Sequence, residues 1–175
     1  SGNGCVPLNA TFSRKLLVPD TAATTLAWNF GNGKTSAAVN PPVQTYATAG
    51  NYTVSLTASS SNGCKTIVTK PVEAYAIPKV SAGNDTILCK GSSITLTAAG
   101  AATYTWGPSA NLLCVNCAST VTNTLNSISY YVTGTSTHGC IGKDTIKVNV
   151  KEKFVLTHSR PDSICRGESK QLFAS

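Results

Sequence analysis

Hydrophobic and polar residues alternate with a period of two along several short stretches of this chain. Tyr52, Val54, Leu56 and Ala58 are interleaved with Thr53, Ser55 and Thr57; Ile94, Leu96 and Ala98 with Thr95 and Thr97; Ile146, Val148 and Val150 with Lys147 and Asn149. Successive side chains of a strand point to opposite faces, so this pattern predicts strands with one face buried. Turn-forming residues separate the runs: Gly31-Asn32-Gly33, Asn40-Pro41-Pro42, Gly50-Asn51, Asn62-Gly63, Gly107-Pro108 and His138-Gly139. The 24 Thr and 19 Ser among 175 residues supply a hydroxyl-rich surface that favours strands and turns over helices. No apolar run approaches the roughly 20 residues that would cross a bilayer as a helix. The start, Ser1-Gly2-Asn3-Gly4, is neither a Met nor a signal peptide and is expected of a mature or excised piece of an exported protein.

The landmarks repeat. Cys64 in Ser61-Asn62-Gly63-Cys64 and Cys140 in Thr137-His138-Gly139-Cys140 are 76 residues apart. Cys89-Lys90-Gly91-Ser92 and Cys165-Arg166-Gly167-Glu168 share the same separation, and Trp28 and Trp106 are 78 apart. A copied unit follows, with an early Cys, a Trp in its first half and a Gly-Cys before its last strand. The expected division is 1–76, 77–152 and an incomplete third unit at 153–175, with linkers near Ala76-Ile77-Pro78-Lys79 and Lys151-Glu152-Lys153. Short alternating strands around a central Trp, with two flanking cysteines, describe a small β-sandwich.

Seven cysteines in a chain that is only 12% charged point to a disulfide framework made in an oxidising compartment. The repeat arithmetic predicts Cys5–Cys64 and Cys89–Cys140 as one long-range bridge per unit, Cys114 and Cys117 as a local pair, and Cys165 as unpaired within residues 1–175. A sandwich of roughly 75 residues buries a modest core, and a bridge closing a long loop adds about 2–4 kcal/mol. Replacing either member of Cys89–Cys140 is then expected to destabilise the second unit and spare the first. The net charge of +7 is spread evenly along the chain without a dense basic run, which fits solvated surface better than a nucleic-acid footprint.

Residues 5–75 resemble a PKD domain of the type found in Bacteroidota surface proteins. The residues that carry the likeness are Cys5-Val6-Pro7-Leu8, Trp28-Asn29-Phe30-Gly31-Asn32-Gly33, Tyr46, Ala49-Gly50-Asn51-Tyr52-Thr53-Val54-Ser55-Leu56 and Asn62-Gly63-Cys64. The family usually has an Asp where this chain has Asn32. With Asp20 and Glu73 as the unit's two acidic residues, that departure weakens any calcium site, because calcium wants several oxygen ligands including carboxylates. Residues 80–150 resemble the Ig-like repeats that accompany PKD domains in large gliding-motility-associated and type IX-secreted proteins of that phylum. That likeness rests on Ala82-Gly83-Asn84-Asp85-Thr86-Ile87-Leu88-Cys89-Lys90-Gly91, Tyr104-Thr105-Trp106-Gly107-Pro108, Leu113-Cys114-Val115-Asn116-Cys117 and Tyr130-Tyr131-Val132-Thr133-Gly134. Residues 154–175 look like the next copy beginning. The resemblance implies an extracellular or cell-surface stalk or adhesin segment without cofactor, whose partners are neighbouring repeats and surface polysaccharide or other cells.

Candidate chemistry is sparse. Cys114-Val115-Asn116-Cys117 has the spacing of a redox dithiol or half a zinc site, but no helix follows to lower a thiol pKa, and further zinc ligands would have to come from His138, His158 or cysteines already assigned. A local structural disulfide outweighs both. Asp20, Glu73, Asp85, Asp144, Glu152, Asp162 and Glu168 form no short-range carboxylate pair, and no Ser or Thr has a placed base, so no catalytic residue is expected. Gly31-Asn32-Gly33-Lys34-Thr35 lacks the spacing of a phosphate loop and is expected to be a hairpin turn. Trp28 and Trp106 are expected in the core, leaving Tyr46, Tyr75 and Tyr130, where exposed, as the better glycan platforms. Asp20-Thr21-Ala22, Asp85-Thr86-Ile87, Asp144-Thr145-Ile146 and Asp162-Ser163-Ile164 resemble the O-glycosylation signal of Bacteroidota exported proteins, with Thr86 and Ser163 favoured over Thr21 and Thr145. Two functions from different classes remain: a non-catalytic adhesive stalk, and carbohydrate-binding accessory modules of a secreted hydrolase. A filament subunit that donates residues 153–175 as a strand to the next chain is a third.

Overall fold

The structure is a computed structural model that describes residues 2–14 and 24–153. All regular elements among the described residues are strands. The first seven are β1 (Asn3–Cys5), β2 (Leu8–Ala10), β3 (Thr24–Asn29), β4 (Thr35–Ser36), β5 (Gln44–Tyr46), β6 (Gly50–Ser60) and β7 (Lys65–Tyr75). One sheet has the order β1-β7-β6-β3-β4, and β2 pairs with β5 in a second, smaller sheet. The remaining six are β8 (Thr86–Cys89), β9 (Ile94–Thr97), β10 (Thr103–Gly107), β11 (Ser119–Thr122), β12 (Ile128–Thr135) and β13 (Ile141–Lys151). They form the sheet β10-β12-β13-β8 and the pair β11-β9.

The two sets share one plan. In each, a short first strand runs parallel to the last long strand, β1 on β7 and β8 on β13. The last two strands form a long antiparallel hairpin, β6–β7 and β12–β13. The Trp-bearing strand, β3 or β10, pairs with the first arm of that hairpin. Each sandwich has its own interior. Trp28, Phe30, Tyr46, Val54 and Val72 fill the first, whereas Leu88, Leu96, Trp106, Tyr130, Val132, Ile146 and Val148 fill the second. These are the inward positions of the period-two pattern, which is why the alternation was readable at all.

Both indoles lie in the core, 5% exposed for Trp28 and 2% for Trp106, and each is satisfied by a loop carbonyl. Trp28 Nε1 donates to the Ala38 carbonyl at 3.1 Å and Trp106 Nε1 to the Cys117 carbonyl at 3.0 Å. A buried N–H without such a partner would cost a large part of what burying the ring contributes. Tyr46 and Tyr130 are core residues as well, so neither is the exposed glycan platform considered above. Tyr46 donates its hydroxyl to the Phe30 carbonyl at 2.9 Å, and the Tyr130 hydroxyl lies 2.7 Å from Thr122 Oγ1. A buried phenol needs a partner for its oxygen, and the residue just after β3 and the last residue of β11 supply it. Gly31-Asn32-Gly33 turns the β3–β4 connection, with the Phe30 N–H donating to the Lys34 carbonyl at 3.1 Å.

Burial pushes the Tyr46 phenol above its ordinary value of 10.0, and the neighbouring Tyr52 adds to the shift. The folded state thus prefers the protonated phenol. Its contribution is complete below the unfolded pKa and is lost as pH rises through and beyond it. The urea midpoint of the first sandwich is expected to hold steady up to about pH 9 and to fall above about pH 10. Tyr46→Phe should lower the midpoint at neutral pH by about 1 kcal/mol of lost hydrogen bonding and make the alkaline fall shallower.

Trp106→Ala is expected to cost the second sandwich about 3–5 kcal/mol. Trp28 then remains as the sole indole, and its fluorescence should report an unchanged transition for the first sandwich while circular dichroism reveals an earlier one. A Trp28 signal that shifts equally with the rest would mean that the two interiors unfold together.

Candidate functional site

The four cysteines assigned to long-range bridges do not pair within each unit. The sequence-based bridges Cys5–Cys64 and Cys89–Cys140 are replaced by one bond, Cys5–Cys140, which joins the two sandwiches with Cα atoms 5.5 Å apart. Cys64 and Cys89 are free and exposed. The reason is strand length. Cys5 lies opposite Tyr75, the last residue of β7, whereas Cys64 immediately precedes Lys65, the first. Eleven strand residues at roughly 3.3 Å each put the two cysteines about 35 Å apart, far beyond the 4.4–6.8 Å that a disulfide tolerates between Cα atoms. In the same way Cys89 faces Lys151 at the end of β13, and Cys140 precedes Ile141 at its start. In each sandwich the cysteine that ends the first strand and the cysteine of the hairpin turn lie at opposite poles.

At the junction the end of β7 meets the tip of the β12–β13 hairpin. Cys140 is 1% exposed and Cys5 half-buried. Tyr75 stacks on His138 with ring centroids 4.0 Å apart and planes 16° from parallel. The Tyr75 hydroxyl donates to Glu73 Oε2 at 2.8 Å, and the Glu73 N–H donates to Asn3 Oδ1 at 3.1 Å, so the aromatic ring is held from its own sandwich. That hydrogen bond to Glu73, more than burial, raises the Tyr75 phenol above its ordinary value.

The connection between the sandwiches is not slack. Pro78 and Val80 lie on the second sandwich where Gly134 and Gly142 leave room; a Cβ at Gly142 would meet the Pro78 carbonyl, and one at Gly134 would meet Val80 and Ala101. Gly100, at φ 91°, passes directly under the Lys79 carbonyl. Ser81 and Ala99 exchange backbone hydrogen bonds, and the Ala82 N–H donates to Asp144 Oδ2 at 2.8 Å. A disulfide, a ring stack and a seated connector therefore meet within a few residues of one another.

The local pair is closed, Cys114 to Cys117, in the loop whose Cys117 carbonyl receives the Trp106 indole. It clips the loop that completes the second core. Of the motifs resembling a glycosylation signal, Thr86 opens β8 half-buried and Thr145 is exposed on β13, while Thr21 and Ser163 lie outside the described residues, as does Cys165. The aspartates of the two described motifs have structural work. Asp85 Oδ1 accepts the Lys147 N–H at 2.8 Å, and Asp144 accepts that of Ala82, tying the unit's entry to its last strand. Among the described residues there is no group of three His, Cys, Asp or Glu able to hold a metal ion, and no helix long and apolar enough to cross a membrane. A groove of about 470 Å³ lies beside Phe12, Trp28, Leu56 and Val68 in the first sandwich.

Strand topology and packing define an all-β protein built from immunoglobulin-like sandwiches. Residues 3–74 match the PKD domain family, and this part of the chain belongs to it. Among solved structures, the PKD1 domain of Vibrio anguillarum Epp is 33% identical over 33% of this chain and 68% of its own length, with a TM-score of 0.29. The fibronectin(III)-like modules of Clostridium thermocellum CbhA are 13% identical over 91% of this chain and 94% of theirs, with a TM-score of 0.36. Bacteroides ovatus SGBP-B, solved with a mixed-linkage heptasaccharide, is 15% identical over 83% of this chain and 42% of its own, with a TM-score of 0.32. No curated protein matches the chain.

The burial of Cys140 beside the Tyr75–His138 stack has a kinetic consequence, because thiol attack on a disulfide requires access. Under mild reductant the half-buried Cys114–Cys117 pair is expected to open before Cys5–Cys140. Tyr75→Ala should accelerate opening of Cys5–Cys140 and leave Cys114–Cys117 unchanged, as read by timed alkylation and mass spectrometry.

Proposed function

We propose that this chain is a non-catalytic stalk segment of a repetitive extracellular surface protein, of the gliding-motility-associated, type IX-secreted kind found in Bacteroidota. Its units are a PKD-type domain at 1–76, an Ig-like domain at 77–152 and the beginning of a third at 153–175. The observation that carries this reading is the Cys5–Cys140 bond, since a covalent tie between successive sandwiches serves to hold them in line and has no use in a ligand pocket. The Tyr75–His138 stack and the seated connector act in the same direction. Relative motion of linked modules is the default when little surface is shared, so three restraints at one joint are a device for stiffness. The role is to carry a distal binding region away from the cell, toward surface polysaccharide or other cells, with neighbouring repeats as the immediate partners. Thr86 and Thr145 are the described positions at which O-glycans would add hydrophilic bulk.

Small-angle scattering tests the mechanical claim. The parent chain is expected to scatter as an extended particle of defined length, and the Cys5→Ser, Cys140→Ser double variant as a broader ensemble, with both sandwiches still folded. Identical scattering from the two would remove the reason for calling the joint a strut. Depletion of the parent by insoluble glycans would instead favour the accessory-module reading.

A further inference from the structure

Cys64 and Cys89 are not leftover thiols. The structure assigns them as the two open half-sites of further inter-unit disulfides, each built like Cys5–Cys140 and each taking its second sulfur from another unit of this kind. The assignment rests on the stalk reading and names the contact by which such units join.

The equivalence is a matter of backbone position. Cys5 and Cys89 both end the short first strand, facing the final residue of the long last strand, Tyr75 and Lys151. The next N–H then bonds that same residue: Val6 to the Tyr75 carbonyl at 2.9 Å, Lys90 to the Lys151 carbonyl at 2.9 Å. Cys64 and Cys140 both close the hairpin turn. Ser60 donates to the Cys64 carbonyl at 2.9 Å and Ser136 to the Cys140 carbonyl at 2.8 Å, while Gly63 and Gly139, at φ 81° and 79°, bond back to Ser60 and Ser136. In the one joint present, the strand-end cysteine of one unit bonds the hairpin cysteine of the next. Cys89 is the strand-end type with no hairpin cysteine against it, and Cys64 is the hairpin type with no strand-end cysteine against it.

The poles enforce the rule. Because the two cysteine types of one sandwich lie about 35 Å apart along an 11-residue strand, neither can be satisfied from within its own unit. Units stacked end to end bring unlike poles together. A strand-end cysteine therefore meets a hairpin cysteine at every joint, and never its own kind. Where the closed joint stacks Tyr75 on His138, the open half-sites present Lys151 and Asn62 in the equivalent places, a polar pair that adds no aromatic contact.

Each new bond forms when two thiols give up two protons and two electrons. A small disulfide such as oxidised glutathione accepts them, splitting into two thiols by exchange. The partner cysteine can come from an adjoining unit of the same chain or from a second copy, and the chemistry is the same.

The test uses residues 1–175 with Cys165→Ser, so that Cys64 and Cys89 are the free thiols, oxidised in a glutathione redox buffer. Multimers on non-reducing gels should carry Cys64–Cys89 as their linkage by peptide mapping, in clear excess over its random share. Either Cys64→Ser or Cys89→Ser alone should abolish the ladder. Symmetric Cys64–Cys64 and Cys89–Cys89 links at random frequency, no links at all, or reshuffling to Cys5–Cys64 would overturn the assignment. Mapping without reduction on protein from its natural source identifies the partner. Cys89 joined to a Cys64 peptide means a second copy; joined to a different Gly-Cys peptide, an adjoining unit; alkylated as a free thiol, it overturns the proposal. Free thiols in a chain that scatters as a rod would leave the stalk standing, whereas linked multimers of a hinged chain would remove the stalk and keep the pairing.

Discussion

The parallel pairing of a three- or four-residue first strand with the end of an 11-residue last strand organises this molecule. It covers the end of the long strand's outer edge, where β1 and β8 become the edge strands of the larger sheets. It also fixes where each first-strand cysteine sits: at the pole opposite the hairpin turn. Everything at the junction follows from that placement, because the end of β7 is also where the chain leaves for the second sandwich.

Small sandwiches made from a chain of low charge have little core to spare, and each invests its largest aromatic in the centre. The indole of each Trp is tied to a loop carbonyl, and a phenol in each crosses the interior to bond on the far side. The phenol contacts tie one sheet to the other, and the indole contacts hold the loops to the sheets. The Cys114–Cys117 clip does the same for the loop over Trp106. Cys5–Cys140 is of a different kind, since it stabilises no single interior and instead restrains two bodies that could otherwise swing.

The aspartates that precede Thr86 and Thr145 show how a motif can carry a local meaning apart from any modification. Asp85 and Asp144 each accept a backbone N–H across the unit, so an Asp just ahead of the threonine has a structural use before any glycan is considered. Thr145 is exposed on its strand, and Thr86 is half-buried where it opens β8.

Period-two alternation, Gly-Asn turns and two spaced tryptophans are local properties, and they determined the all-β class, most of the inward-facing residues and the equivalence of the cysteines from one unit to the next. Which cysteine bonds which was beyond their reach. A repeat of 76 residues is equally consistent with bridges inside each unit and with bridges between units, because both schemes repeat with the same period. The choice depends on the length of β7 and β13 and on the pole at which each cysteine emerges, and those are distances through space. The same holds for Tyr46 and Tyr130, whose burial follows from the sheet that closes over them. It holds too for Gly100, Gly134 and Gly142, which look like ordinary strand and turn glycines until the connector is seen lying across them.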